Sequence, residues 1–312
     1  MKNLANCDAA IKKMPVCGRF APTPSGDLHL GSLVTAVGSW LAAKASGGKW
    51  FIRIEDIDTP RCVLGADERL LATLASYALV SDLPVWYQSQ RQAAYEQAWL
   101  RLQQAGWVYP CHCSRREVQA RGQMGADGII YDGHCRYQSI NYSAPAAAWA
   151  WRCRVPDSRI VFKDACQGWQ SQALAAEVGD FILRRADGVF SYHLAVVVDD
   201  AAQGVTQIVR GADLLFSTPR QILLQRCLGL STPNYAHLPL VLQTNGQKFS
   251  KQNLAPPVPA GDRYLLWQVL TWLHLSPPAF LQSAPPHEQL AWACQAWSWT
   301  RLRVESGFWD SV

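Results

Sequence analysis

Two short polar segments, far apart in the chain, combine residue types that suit chemistry on a nucleoside triphosphate. In the first, His29 is followed closely by Gly31 and Ser32, just after a loop that contains two prolines. A histidine there can donate a hydrogen bond to an α-phosphate as negative charge builds on it, and a glycine lets an adenine or a ribose approach the backbone. Taken alone, the segment is equally compatible with a loop histidine in an ordinary β-α-β unit.

The second segment places Lys248 and Lys251 on either side of Ser250. Two ammonium groups around a small hydroxyl suit a loop that closes over a triphosphate, where they offset the charge that moves to the leaving pyrophosphate. A lone segment of this kind is usually a solvated loop, so the prediction depends on its pairing with the histidine segment. The predicted ATP-binding residues are His29, Gly31, Ser32, Lys248, Ser250 and Lys251, of which His29 and Lys251 are predicted to be catalytic.

The elements that must position the first segment are those of a nucleotide-binding half-site. A strand predicted over 16–21 ends at Pro22, apolar residues then recur at helical spacing up to Gly47, and 49–55 has the composition of a second strand. This order places free backbone donors and the positive end of a helix dipole where phosphate binds. The sequence therefore predicts an α/β fold with a Rossmann-like parallel sheet.

The rest of the chain continues this alternation of strands and helices. The predicted helices cover 66–79, 92–105 and 218–228, and the predicted strands cover 85–89, 149–155, 160–164 and 208–213. Residues 181–185 and 190–198 predict two strands joined by a tight turn, with Tyr192 near the start of the second strand. From residue 260 onward, helical spacing predicts a small region of helices.

Two pairs of potential metal ligands interrupt the alternation. Cys111 and Cys113 form the first pair, and Cys135 follows Tyr131 after a stretch that contains several glycines. Ligand pairs joined by a loop are typical of a structural zinc site, in which the metal replaces a core that so small a segment cannot build. Because a Cys-x-Cys pair is less diagnostic than Cys-x-x-Cys, free thiols remain the alternative.

The histidine segment and the lysine segment resemble the two signatures of class I aminoacyl-tRNA synthetases. The preceding Pro22–Gly26 resembles the glutamyl branch, and the form of the lysine segment is typical of short paralogues within that branch. The resemblance runs from about residue 18 to residue 257. Phe249 and Gln252 stand where most of the family has Met and Ser, so the second signature is degenerate.

The resemblance implies a glutamate pocket and a metal-ligand set. The implied glutamate-binding residues are Arg19, Phe20, Ala21, Pro22, Thr23, Glu55, Tyr192 and Arg210. Arginine forks suit the two carboxylates of glutamate and an acid suits its ammonium group, although Glu55 and Arg210 are also compatible with ordinary surface ion pairs. The implied ligands of one structural Zn²⁺ are Cys111, Cys113, Tyr131 and Cys135. His112 and His134 are chemically better ligands than a tyrosine, which leaves the fourth ligand open.

The resemblance also implies the reaction and the partners. L-glutamate would be activated by ATP, bound with Mg²⁺, and then transferred to queuosine in the anticodon arm of tRNA(Asp). Two alternatives share these residues: a truncated glutamyl-tRNA synthetase that charges a tRNA 3′ end, and a zinc- and nucleic-acid-binding paralogue without catalysis. The presence of both lysines and of His29 disfavours the second.

Length, composition and net charge set only wide limits on the class of protein. With 312 residues, 49% of them apolar, and a net charge of +5, the chain can bury a sizeable core and permits a nucleic-acid partner without requiring one. The sequence lacks a long apolar run and a signal peptide, which predicts a cytoplasmic protein with no membrane partner, whose ten cysteines are thiols or metal ligands. We also expect the protein to be a monomer.

The domain organisation follows from these segments. The predicted parts are a flexible extension (1–17), the first half of the catalytic domain (18–108), a zinc-binding insertion (109–176), the second half of the catalytic domain (177–240), and the lysine loop with the helical C-terminal region (241–312). The helical part is too short to form an anticodon-binding domain of its own.

Overall fold

The computed structural model describes residues 16–138, 149–243, 256–302 and 307–309. In these residues the helices are α1 (Leu30–Lys44), α2 (Ala66–Ser76), α3 (Gln92–Gln104), α4 (Arg115–Arg121), α5 (Leu174–Glu177), α6 (Tyr192–Ala202), α7 (Thr218–Leu228), α8 (Arg263–Trp272) and α9 (Pro286–Ala296). The strands are β1 (Cys17–Phe20), β2 (Lys49–Ile54), β3 (Trp86–Tyr87), β4 (Val108–Cys111), β5 (Gln123–Gly125), β6 (Gly128–Ile130), β7 (Ala150–Cys153), β8 (Arg159–Asp164), β9 (Gly168–Ala173), β10 (Ile182–Arg184), β11 (Gln207–Gly211), β12 (Asn234–Leu238), β13 (Val241–Leu242) and β14 (Gly307–Phe308).

The predicted parallel sheet is confirmed. β1 pairs in parallel with β2, which pairs in parallel with β3. A second parallel pair, β11 and β12, begins beside β1, because the Thr206 backbone N–H donates to the Cys17 carbonyl at 2.9 Å. The ends of β1 and β11 therefore lie next to each other, which is where open α/β sheets bind ligands.

Helix α1 forms the core beneath this sheet. Its apolar residues Leu33, Val37 and Leu41 are fully buried, so the helical spacing seen in the sequence corresponds to a packing face. At Gly38 the helix approaches β12 so closely that a Cβ atom would lie 2.6 Å from Leu238 Cδ1. A glycine at this position lets the first half-site pack directly on the second pair of strands.

The prediction of a strand over 190–198 was wrong, because residues 192–202 form α6. Ser191 caps this helix by accepting a hydrogen bond from the Leu194 N–H at 3.5 Å. β10 pairs with β7. Its contact with the predicted partner consists of an isolated bridge between Arg184 and Phe190 and the flanking backbone hydrogen bonds from Arg185 N–H to the Val189 carbonyl and from Ser191 N–H to the Leu183 carbonyl, both at 2.8 Å. A short continuous apolar run is ambiguous between a buried strand and a buried helix, and here the cap and the packing decide for the helix.

The segment with the predicted metal ligands is connected to both halves of the sheet. β4, β7 and β10 form a small antiparallel sheet, whereas β8 pairs with β9 and also, in parallel, with β12. The strand predicted over 160–164 therefore adjoins the catalytic sheet as well as the segment before it. The domain boundaries stay a prediction.

The helices predicted after residue 260 are present as α8 and α9. Both pack on the same core as α1, with Leu266, Leu270 and Leu290 buried. Within the described residues, every helix is too short or too polar to cross a membrane.

Candidate functional site

A cleft of about 340 Å³ opens where β1 and β11 end. The residues predicted to bind glutamate all line it, namely Arg19, Phe20, Ala21, Pro22, Thr23, Glu55, Tyr192 and Arg210. The predicted ATP-binding residues His29, Gly31 and Ser32 line the same cleft. Lys248, Ser250 and Lys251 lie outside the described residues. The structure thus brings the first signature and the implied amino-acid pocket together.

His29 caps the helix that faces the cleft. Its Nδ1 accepts a hydrogen bond from the Ser32 backbone N–H at 3.2 Å, and its Nε2 lies 3.0 Å from Ser32 Oγ. Because Nδ1 accepts, the neutral imidazole carries its proton on Nε2. The side chain can therefore donate from Nε2 at the positive end of α1, where an anionic phosphate is favoured.

The described chain on each side of 244–255 lies at this cleft. Val241, shortly before that segment, lines the cleft. After it, Pro257 forms an antiparallel bridge with His29, and the Val258 N–H donates to the Leu28 carbonyl at 2.9 Å. The described residues before and after 244–255 therefore both lie at the edge of the cleft.

A buried network of charges supports one wall of the cleft. Asp200 Oδ1 accepts from Arg19 Nε at 3.1 Å and from Arg53 Nη1 at 2.8 Å, and Arg53 Nη2 donates to Glu55 Oε1 at 3.2 Å. All four side chains are buried. Asp200 belongs to α6, whereas Arg19 belongs to β1, Arg53 belongs to β2 and Glu55 follows β2. The helix α6, which the sequence predicted to be a strand, therefore supplies the shared counter-ion.

The pKa values of the two acids in this network shift in opposite directions. Burial raises the pKa of Asp200, but the two guanidinium groups at Arg19 and Arg53 outweigh burial and hold that pKa below its usual value. Burial raises the pKa of Glu55 more than Arg53 and Arg19 lower it, so the net shift is upward. A substrate ammonium group beside Glu55 would favour its anionic form.

Arg210 has a different environment. Its Nε donates to His237 Nε2 at 3.0 Å, and its Nη2 donates to Thr218 Oγ1 at 2.8 Å. Its Nη1 lies 3.4 Å from the Tyr192 hydroxyl. These contacts fix the guanidinium from behind while it lines the cleft.

The predicted metal ligands converge. The sulfur atoms of Cys111, Cys113 and Cys135 lie within 4.8 Å of one another, and the Tyr131 hydroxyl lies 3.4 Å from Cys111 Sγ and 3.6 Å from Cys113 Sγ. Of the residues weighed for the fourth position, Tyr131 is buried with the cysteines, whereas His112 and His134 are exposed and contact Gln138. The cysteine triad with Tyr131 could hold a metal ion, since such a set of thiolates is typical of tetrahedral sites.

Arginines surround these sulfur atoms. Arg152 Nε lies 3.3 Å from Cys111 Sγ, and Arg121 Nη2 lies 3.0 Å from Cys113 Sγ. Burial raises the pKa of the Cys111 thiol, but hydrogen bonds from Tyr131 and Arg152 outweigh it and lower that pKa overall. The Arg152 guanidinium also lies over the Tyr131 ring, 3.7 Å from its centroid. The contacts of Cys111 therefore favour the thiolate form that a metal requires, whereas burial and the neighbouring sulfur atoms raise the pKa of the Cys113 thiol to about 11.

Several residues of the site were missed by sequence reasoning. Asp200 was placed at the end of a strand, although two adjacent acids in an otherwise apolar run are a signal of a buried polar role. Arg53, Asp164, Thr218 and His237 carried no such signal. Each is one polar residue in an ordinary strand or helix, and only the packing brings it behind the cleft residues Glu55 and Arg210.

Comparison with known proteins agrees with the geometry. Residues 15–263 match the family model described as tRNA synthetases class I (E and Q), catalytic domain. A protein of Neisseria meningitidis named glutamyl-Q tRNA(Asp) synthetase is 51% identical over 286 residues, covering 91% of this chain and 96% of that protein. A protein of the same name from Aromatoleum aromaticum is 53% identical over 288 residues, covering 91% of this chain and 89% of that protein.

Solved structures show the same fold. A glutamate tRNA ligase from Elizabethkingia meningosepticum, crystallised with its amino acid, superposes with a TM-score of 0.78 at 24% identity, covering 95% of this chain and 67% of that chain. The glutamate-tRNA synthetase of Elizabethkingia anophelis gives a TM-score of 0.76 at 25% identity, covering 95% and 68%. On the family match and the identity to its relatives, this chain belongs to the class I tRNA synthetases of the glutamate and glutamine type.

Proposed function

We propose that this protein activates L-glutamate with ATP and transfers the glutamyl group to queuosine in the anticodon of tRNA(Asp). The observation that carries the first half is the single cleft in which the implied glutamate-binding residues lie beside His29 and the amino-terminal end of α1. The transfer to queuosine is supported by relatives named glutamyl-Q tRNA(Asp) synthetase, which are 51% and 53% identical over 91% of this chain. The family implies glutamate, ATP and tRNA as partners.

In the first step, a carboxylate oxygen of glutamate attacks the α-phosphorus of ATP. The new P–O bond forms as the bond to pyrophosphate breaks, which gives glutamyl-adenylate. Mg²⁺, expected with ATP in this family, would neutralise part of the phosphate charge. The protein needs only to align the reactants and stabilise the charge, so an enzyme-bound covalent intermediate is unnecessary.

The cleft residues have separate roles in this step. Arg19 and Arg210 bind the two carboxylates, Glu55 binds the ammonium group, and Tyr192 shapes the pocket. His29 donates from Nε2 to the α-phosphate, where charge builds up. Lys251 then stabilises the leaving pyrophosphate, and both described ends of its segment are at the edge of the cleft.

The metal site has a structural role in this proposal. Cys111, Cys113, Cys135 and Tyr131 would hold one Zn²⁺ and so fix the segment around β5, β6 and α4. Among the described residues, the buried cluster around the ligands is limited to a few side chains, mainly the ligands themselves, which is too little apolar surface to order the segment without a metal. The protein is proposed to act as a monomer in the cytoplasm, where its nucleotide and tRNA substrates occur.

The test is pyrophosphate exchange into ATP by the purified protein with L-glutamate, first without RNA. We expect exchange, because the amino-acid and nucleotide residues share one cleft; the Lys251→Ala variant is the inactive control. Labelled glutamate should then appear on tRNA(Asp) that contains queuosine and not on the same tRNA lacking it. No pyrophosphate exchange, either without RNA or with either tRNA present, would refute the activation step. Label on queuosine-lacking tRNA would refute the acceptor.

A further inference from the structure

Arg210 is held by groups that carry no negative charge. It is 4% exposed, yet its Nε donates to an imidazole and its Nη2 to the Thr218 hydroxyl. Among the described residues, no acid forms an ion pair with Arg210, whereas Arg19 and Arg53 both pair with Asp200. Within the described part of this cleft wall, Arg210 therefore carries a buried positive charge to which the protein supplies no counter-ion.

The imidazole is His237, and Asp164 determines how it is oriented. His237 Nδ1 lies 2.6 Å from Asp164 Oδ2, and both side chains are fully buried. Asp164 Oδ1 accepts the backbone N–H groups of Cys166, Gln167 and His237 at 2.9, 2.8 and 3.0 Å. Since the carboxylate accepts from Nδ1, the ring carries its proton there and presents the Nε2 lone pair to Arg210.

The burial of this imidazole keeps it neutral, and a neighbouring ring holds it in place. Burial, assisted by the nearby charge of Arg210, lowers the pKa of His237 to about 4 in spite of the opposite effect of Asp164. The ring also stacks on Tyr235, with centroids 6.1 Å apart. A neutral acceptor satisfies the Arg210 Nε–H without cancelling the charge of the guanidinium, which an acid at the same position would do.

We propose that His237, oriented by Asp164, is a positioning residue that sets the preference for glutamate over glutamine. This inference rests on the proposed function. The ammonium and α-carboxylate groups of a bound amino acid cancel each other, so the side-chain carboxylate is the net charge that meets Arg210. A glutamine amide offers the guanidinium one neutral carbonyl oxygen as an acceptor, turns an NH₂ donor toward its remaining donors, and leaves that buried charge without a counter-ion.

Three substitutions of His237 separate this role from a purely structural one. His237→Gln keeps an acceptor near the position of Nε2 but loses the contact with Asp164. His237→Asn keeps a polar atom near Nδ1 for Asp164 but loses the acceptor for Arg210. His237→Phe keeps the ring that stacks on Tyr235 and loses both polar contacts.

The readouts are the KM values for glutamate, glutamine and ATP in pyrophosphate exchange, with thermal unfolding as the measure of folding. We expect the glutamate KM to rise by about ten- to a hundredfold in the Asn and Phe variants, the effect of losing a hydrogen bond to a charged group. The Gln variant should stay within about threefold of wild type, because it retains the acceptor. The ATP KM should stay constant, and the preference for glutamate over glutamine should fall with the glutamate KM.

Two results would overturn the inference while the proposed function stands. One is an Asn variant with the wild-type glutamate KM beside a Gln variant that has lost it, since the contact with Asp164 would then be what matters. The other is a parallel loss of glutamate, glutamine and ATP use in all variants, which indicates general damage. Absence of glutamate-dependent exchange in the wild-type protein would instead refute the proposed function and this inference with it.

Discussion

Replacing Asp200 with Asn tests the buried charge network most directly. The carboxylate accepts from Arg19 at 3.1 Å and from Arg53 at 2.8 Å, and its exposed fraction is 2%. The amide has nearly the same shape but no charge, so two buried guanidinium groups lose their shared counter-ion. Removing one partner from a buried ion pair costs about 3–5 kcal/mol, and we expect the free energy of unfolding to fall by that amount.

The same substitution should weaken glutamate binding. Among the described contacts of Arg19, only Asp200 orients the side chain by an ion pair. Without it, Arg19 and Arg53 can both turn toward Glu55, which would then be less available to the substrate ammonium group. We expect the KM for glutamate to rise about tenfold or more, the effect of losing a charged hydrogen bond, with little change in the KM for ATP.

Asp199→Asn is the matched control. Asp199 is the neighbouring residue of α6 and equally buried, but it accepts from Tyr95 at 2.6 Å, Gln88 at 3.2 Å and Arg91 at 3.1 Å, all away from the cleft. Urea unfolding should show a loss of stability for both variants, whereas pyrophosphate exchange should show the glutamate effect for Asp200→Asn alone. The reasoning would be refuted if the Asp200→Asn protein were within about 1 kcal/mol of wild-type stability and had an unchanged glutamate KM. Removing a counter-ion shared by two buried guanidinium groups should cost more than that.

Two further predictions concern the metal and the pH. The zinc content after dialysis against a chelator is measured by elemental analysis. Tyr131→Phe should bind zinc at least about tenfold less tightly than wild type, while His134→Ala should match wild type. The reverse order would show that the histidine is the ligand. Burial lowers the pKa of His193 to about 3 and that of His237 to about 4, from about 6.5 in the unfolded chain. Between pH 6.5 and 4 the unfolded chain binds protons that the folded chain does not, so stability should be full above pH 6.5 and fall below it, by at most about 1.4 kcal/mol per pH unit for each histidine. The His237→Gln variant should show a smaller slope of unfolding free energy against pH, and an unchanged slope would contradict the assignment of a neutral buried ring.

The first half-site shows how much local pattern can predict. Proline after β1, helical spacing from Leu33 to Leu41 and the composition of β2 each depend only on neighbouring residues, and all three elements lie where they were expected. The metal-ligand spacing is local in the same way. By contrast, the apolar run that forms α6 is compatible with a buried strand and with a buried helix. Which of the two forms depends on what packs against it.

The sequence by itself determined the parallel α/β plan, the histidine segment and the cysteine pairs, and its resemblance to the synthetase family implied the glutamate-binding residues that line the cleft. These features depend on residue type and on spacing over a few residues, which a linear pattern contains. Only the tertiary structure decided the partners of the charged groups: that Asp200 neutralises Arg19 and Arg53, and that His237 leaves Arg210 charged. These contacts join residues far apart in the chain, and whether a buried charge is cancelled or kept depends on three-dimensional packing that spacing does not specify.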